Sequence, residues 1–126
     1  MTRPTAQADP VADGAVVTKA AVRAAARLGL PNRSLARVLG VSEATVSRMS
    51  GGGYQLKKGD KAFELALLFL RMFRTLDAIA GGDEQVSRTW LRSDNLALGG
   101  VPAARIETLA GLIDVVAYLD ADRTHG

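Results

Sequence analysis

Apolar residues recur along this chain at intervals of three and four, and no stretch alternates as a half-buried strand would. Val17, Ala21, Ala24, Ala25 and Leu28 share one face, while Lys19, Arg23 and Arg27 form a basic stripe. This predicts a first helix over about 15–28, stopped by Gly29 and Pro31. A short second helix is expected near 34–39, capped by Asn32 or Ser34 and closed by Gly40. A third follows the N-cap Ser42, with Glu43 at the positive end of its dipole, and stops at Gly51-Gly52-Gly53. A linker, 54–59, leads to Asp60, which caps the longest helix, about 61–80. That helix carries two apolar stripes: Phe63, Ala66, Leu67, Leu70 and Phe73, then Leu65, Phe69, Met72, Leu76 and Ile79. Only Glu64, Arg71, Thr75 and Ala78 suit water. So wide an apolar arc needs more than one packing partner. It fits the central helix of a monomer core, or a core helix that also meets a second subunit. Asp83 caps a helix over about 84–91, and 93–102 reads as a turn-rich loop. The last helix, about 107–121, is lined by Leu109, Leu112, Ile113, Val116 and Leu119.

The pattern implies an all-α fold, and composition agrees. Of 126 residues, 48% are hydrophobic but only 5% aromatic, a mix that favours helix over sheet. The expected organisation is a disordered arm over 1–14, a helix-turn-helix domain over 15–59, a linker or dimerisation helix over 60–80, and a C-terminal domain over 81–126. Cysteine is absent and His125 is the single histidine. This removes disulfides and thiolate metal sites and leaves nothing for a catalytic triad or a His-based metal centre. His125 reads as a terminal residue, and no metal or cofactor is expected. The polar N-terminus lacks a signal's apolar core. The most apolar stretch, 62–80, contains Glu64, Arg71, Arg74 and Asp77, too many charges for a membrane span. The expectation is a cytoplasmic protein without a membrane partner.

Charge is uneven. Residues 1–60 hold nine Lys/Arg against four Asp/Glu, or +5, and residues 61–126 hold seven against nine, or −2. A polyanion would meet the first half. That half contains the segment 35–49, which has the requirements of two short helices crossing through a tight turn. Gly40 supplies the turn, Ala36 is small where the helices come closest, and Leu35, Leu39, Val41, Val46 and Met49 bury the angle between them. The exposed side of the second helix offers Ser42, Glu43, Ala44, Ser47 and Arg48 to a major groove. Arg48 suits guanine or a phosphate, and Glu43 a cytosine amino group. The hydroxyls of Ser42, Thr45 and Ser47 suit phosphate or base. Arg33, Arg37, Lys57 and Lys58 are candidates for the phosphate backbone.

The second half carries Trp90-Leu91, Asn95, Leu98-Gly99-Gly100 before a proline, and a glycine-led final helix ending Tyr118-Leu119-Asp120-Ala121 with Arg123 close behind. Together with the upstream helix-turn-helix and the helix that ends Leu76-Asp77 before Gly81-Gly82, these residues resemble the MbcA/ParS/Xre family of bacterial antitoxins, over about 15–123. Asp122 departs from that pattern, where an apolar residue is common, and Ala103-Ala104-Arg105 replaces a more acidic stretch.

The resemblance implies an Xre-like helix-turn-helix bundle followed by a small helical toxin-binding domain. It implies a homodimer, or a higher hetero-oligomer with toxin, that represses its own operon by binding operator DNA. It also implies a partner: a RES-domain toxin that degrades NAD, whose active site the chain end blocks. Carried over, the toxin-facing candidates are Tyr118, Asp120 and Arg123, and Asp122 joins them as a further charge on the same helix end, not as a family position. Trp90, Asn95, Gly99 and Gly100 carry over as structural positions, with Trp90 in the core and Asn95 capping a turn. The alternative is a stand-alone repressor without a toxin. An enzyme is disfavoured: there is no nucleophile–base pair, and Gly51-Gly52-Gly53 lacks the lysine and strand of a phosphate loop.

Overall fold

The computed structural model describes residues 10–125, with side chains from 13 to 123. It is all-helical, with seven α-helices among the described residues: α1 (Pro10–Arg27), α2 (Asn32–Leu39), α3 (Glu43–Ser50), α4 (Lys61–Ile79), α5 (Glu84–Arg92), α6 (Pro102–Arg105) and α7 (Leu109–His125). A 3-10 turn, Leu96–Leu98, lies between α5 and α6. α1 therefore starts earlier than its apolar face predicts, and 10–14 of the expected arm are helical. Residues 1–9 of that arm and the side chain of His125 lie outside the described residues.

α4 is the hub. It packs against α1, α2 and α7, which accounts for its wide apolar arc. Phe69, Met72 and Leu76 are completely buried. Around them close Leu28, Leu35, Leu39 and Val46 on one side and Leu112, Val115 and Leu119 on the other. The helix-turn-helix and the C-terminal helices thus share one core through α4. Three assignments along α4 change. Thr75 is buried, not solvated, because α7 crosses there and the Asp120 carboxylate accepts from its hydroxyl at 3.5 Å. Leu67 and Ile79, by contrast, are exposed.

α7 differs in the same way. Its buried face runs through Leu112, Val115, Val116 and Leu119, while Leu109 and Ile113 face outward. The rotation follows from Gly111, where α7 touches the end of α6. A Cβ there would overlap the Arg105 carbonyl, so only glycine permits this approach. α6 is a helix the periodicity does not predict, and only its first residue lies in the expected loop. Pro102, preset for a first helical turn, begins the helix.

A second close contact fixes the linker. Thr18, buried on α1, donates to the Gly14 carbonyl at 2.6 Å and accepts from the Leu56 amide at 2.8 Å. A Cβ at Gly14 would overlap the Leu56 carbonyl. The segment leading into α4 is thereby latched to α1 by one hydroxyl and one missing side chain.

Candidate nucleic-acid interface and C-terminal site

The α2–α3 corner has the geometry its sequence requires. Gly40 sits at φ 71°, ψ 33° and ends α2, its amide donating to the Ala36 carbonyl. A Cβ there would meet nothing closer than Leu65, at 3.9 Å. Backbone conformation, not space, therefore selects glycine. Leu35, Ala36, Leu39, Val46 and Met49 are buried and Val41 is half-buried. Val38 joins them. The cap of α2 is Pro31, not Asn32 or Ser34. Its extended backbone launches the helix, and Asn32 is already the first helical residue.

Ser42 caps α3 by accepting from the Thr45 amide at 3.0 Å. Its hydroxyl also lies 2.8 Å from that of Thr45, and Arg48 donates to the Thr45 hydroxyl at 3.2 Å. Arg48 further lies over the Tyr54 ring, 5.9 Å from its centroid. Ser42 and Thr45 thus form a local network that orients Arg48. Glu43, Ala44, Ser47 and Arg48 are exposed. Such a short polar surface, rigidly backed, fits a major groove.

The expected backbone contacts divide. Arg33 and Lys57 are exposed. Arg37, by contrast, pairs with Glu107 at 3.3 Å, and Lys58 with Asp13 at 3.2 Å. Neither pair is visible from spacing, because both join residues distant along the chain. The same holds for the links between the end of α1 and α5. Arg27 pairs with Glu84 at 3.0 Å and lies over Phe73. Arg88 donates to the Arg27 carbonyl at 2.8 Å, and Arg92 to that of Gly29 at 3.1 Å.

In the C-terminal region Asn95 caps the 3-10 turn by accepting from the Leu98 amide at 3.1 Å, and it bridges to Gly100. Gly99, at φ 74°, ends that turn. Trp90 is half-buried, not in the core. Its ring stacks on Tyr118 with centroids 6.2 Å apart and planes at 25°. Tyr118 is therefore half-covered by Trp90 and anchors α7 on α5. Asp120 meets Arg71 of α4 at 2.6 Å. Asp122 and Arg123 are exposed beyond it, beside Ala78 and Ile79 of α4. The four toxin-facing candidates thus form two pairs. Tyr118 and Asp120 brace the helix, and Asp122 and Arg123 project from its end.

Among the described residues there is no group of three His, Cys, Asp or Glu placed to hold a metal, and no helix is long and apolar enough to cross a membrane.

Two family models match the chain. One describes an antitoxin Xre-like helix-turn-helix domain and covers residues 7–71. The other describes an antitoxin Xre/MbcA/ParS C-terminal toxin-binding domain and covers residues 75–124. They meet within α4. No curated protein matches the chain.

Proposed function

The chain belongs to the Xre/MbcA/ParS antitoxin family, and we propose that it neutralises a RES-domain, NAD-degrading toxin by blocking that enzyme's active site while repressing its own operon as a dimer. One observation carries the reading. A capped, groove-sized α3 and a charged, exposed helix end stand on one rigid core, each within the domain of its own family model. The two activities occupy different surfaces of one molecule.

On the DNA side, Arg48 and Glu43 read base edges, Ala44 and Ser47 line the contact, and Ser42 and Thr45 hold Arg48 in place while facing the backbone. Arg33, Arg37, Lys57 and Lys58 supply phosphate contacts. For Arg37 and Lys58 this means exchanging a carboxylate for a phosphate, a small cost at an exposed pair. On the toxin side, Asp122 and Arg123 enter the cleft. A site shaped for an anionic dinucleotide carries cations that pair with Asp122, and Arg123 satisfies acidic groups at its rim. Tyr118 and Asp120 keep the helix at the angle that entry demands. Gly40, Trp90, Asn95, Gly99 and Gly100 are structural.

Co-expression with a RES-domain gene adjacent to that of this chain, whose presence the reading requires, tests it. The chain is expected to restore growth and cellular NAD, and Arg123→Glu to lose that rescue while still repressing a promoter reporter. Failure of the unaltered chain to rescue would overturn it.

A further inference from the structure

Where α1, α4 and α7 meet, α4 floors an open groove of about 390 Å³. Its apolar part is made by Val16, Leu67 and Leu70, of which Val16 is 67% and Leu67 43% exposed. Its rim holds Arg71, Arg74 and Arg123 against a single carboxylate, Asp120. Arg71 already pairs with Asp120, and Arg74 and Arg123 make no ion pair among the described residues. The groove is therefore apolar at its base and carries an excess of two positive charges at its edge.

Single exposed apolar residues are ordinary, but apolar side chains brought together in a concavity with a charged rim mark a binding surface. Its shape and charge narrow the occupant. An isologous contact sets a patch against itself, and a concave, net-positive patch neither fits nor attracts its own copy. A ridge with the opposite character does: a helix with an apolar stripe and acidic residues beside it. The groove also shares Asp120 and Arg123 with the α7 end assigned to the toxin.

We propose that this groove receives an acidic, amphipathic helix of the toxin, so that the toxin footprint extends from the C-terminal domain onto α1 and α4. The proposal rests on the antitoxin reading. Toxin binding then spans both matched domains, with α7 entering the toxin and a toxin helix entering the antitoxin. The apolar floor anchors the helix, and Arg74 sets its register.

The natural absence of cysteine makes a direct test possible. Val16→Cys places a single thiol in the groove, and Ala44→Cys places one on α3. Both sites are exposed, and circular dichroism checks that the fold is kept. Maleimide labelling is measured alone, with catalytically inactivated toxin from the neighbouring gene, and with operator DNA. The expected result is that toxin slows Val16→Cys labelling at least tenfold and leaves Ala44→Cys unchanged, while DNA does the reverse. Leu67→Glu is expected to weaken toxin binding at least tenfold and to change operator affinity less than twofold.

If toxin binds the chain yet Val16→Cys labels at its free rate, the groove is empty in the complex. The proposal then falls and the antitoxin reading stands. If the unaltered chain binds no toxin, both fall together. Labelling that slows with the chain's own concentration, without toxin, would make the occupant a second copy and overturn the proposal.

Discussion

Replacing Thr18 by valine keeps the shape of a buried side chain and removes its hydroxyl. The wild-type hydroxyl serves two partners, donating at 2.6 Å to the Gly14 carbonyl and accepting at 2.8 Å from the Leu56 amide. Gly14 as a helical residue has further ways to satisfy its carbonyl. The Leu56 amide, whose side chain is also buried, loses its partner. A buried donor left unpaired costs about 1–3 kcal/mol. At the size of this chain, 1 kcal/mol moves the midpoint of thermal unfolding by about 4 °C, so a loss near 2 kcal/mol lowers it by about 8 °C. Thr18→Ser is the control: it keeps both hydrogen bonds and gives up one methyl group, worth about 0.8 kcal/mol. Urea unfolding followed by circular dichroism is expected to rank wild type above serine and serine above valine, with the slope against urea unchanged. Valine as stable as serine would refute the reasoning, because packing, not the hydroxyl, would then hold the linker to α1.

Other outcomes follow from single contacts. Gly111→Ala is expected to destabilise by about 1–3 kcal/mol or more, since the added Cβ meets the Arg105 backbone. At an unhindered helical position the same change would stabilise by about 1 kcal/mol, so the sign of the shift in urea midpoint decides. Ser87→Ala is expected to raise stability by about 1 kcal/mol in the same assay. Its hydroxyl is buried without a hydrogen-bond partner among the described residues, which costs the desolvation of that group, and a lower midpoint would contradict this. Arg48→Ala is expected to cost about 1–3 kcal/mol of operator discrimination and to relax base preference at one position, measured by competition binding with mutated sites. Lys57→Ala is expected instead to weaken all sequences alike and to reduce the salt dependence by about one ion.

The legible parts of this protein were those governed by local chemistry. Gly40, Ser42, Asp83 and Asn95 each act where short-range backbone demands put them. The helix-turn-helix was readable for that reason, since its turn, cap and buried corner all fall within fifteen residues. What stayed hidden depends on which helix crosses which. The burial of Thr75 and the outward turn of Leu109 and Ile113 are set by the crossing of α7 over α4 and by its contact with α6 at Gly111. Helical periodicity alone allows either face. Asp120 reads as a toxin-facing charge until Arg71 is seen beside it. Arg37 likewise reads as a phosphate contact until Glu107 is found 3.3 Å away. Such pairs join positions 49 and 70 residues apart, and single-sequence spacing carries no trace of them.

The central claim, that one chain both restrains an enzyme and binds DNA from separate surfaces, is tested most directly by titrating the purified toxin's NAD consumption. Two proteins are compared: the full chain, and a chain ending after Leu119 whose helical content is first verified. The full chain is predicted to abolish NAD consumption at stoichiometric ratio, and the shortened chain to leave it running while still protecting the operator in a footprint. Equal inhibition by both would contradict the account, because the end of α7 would then play no part in blocking the enzyme.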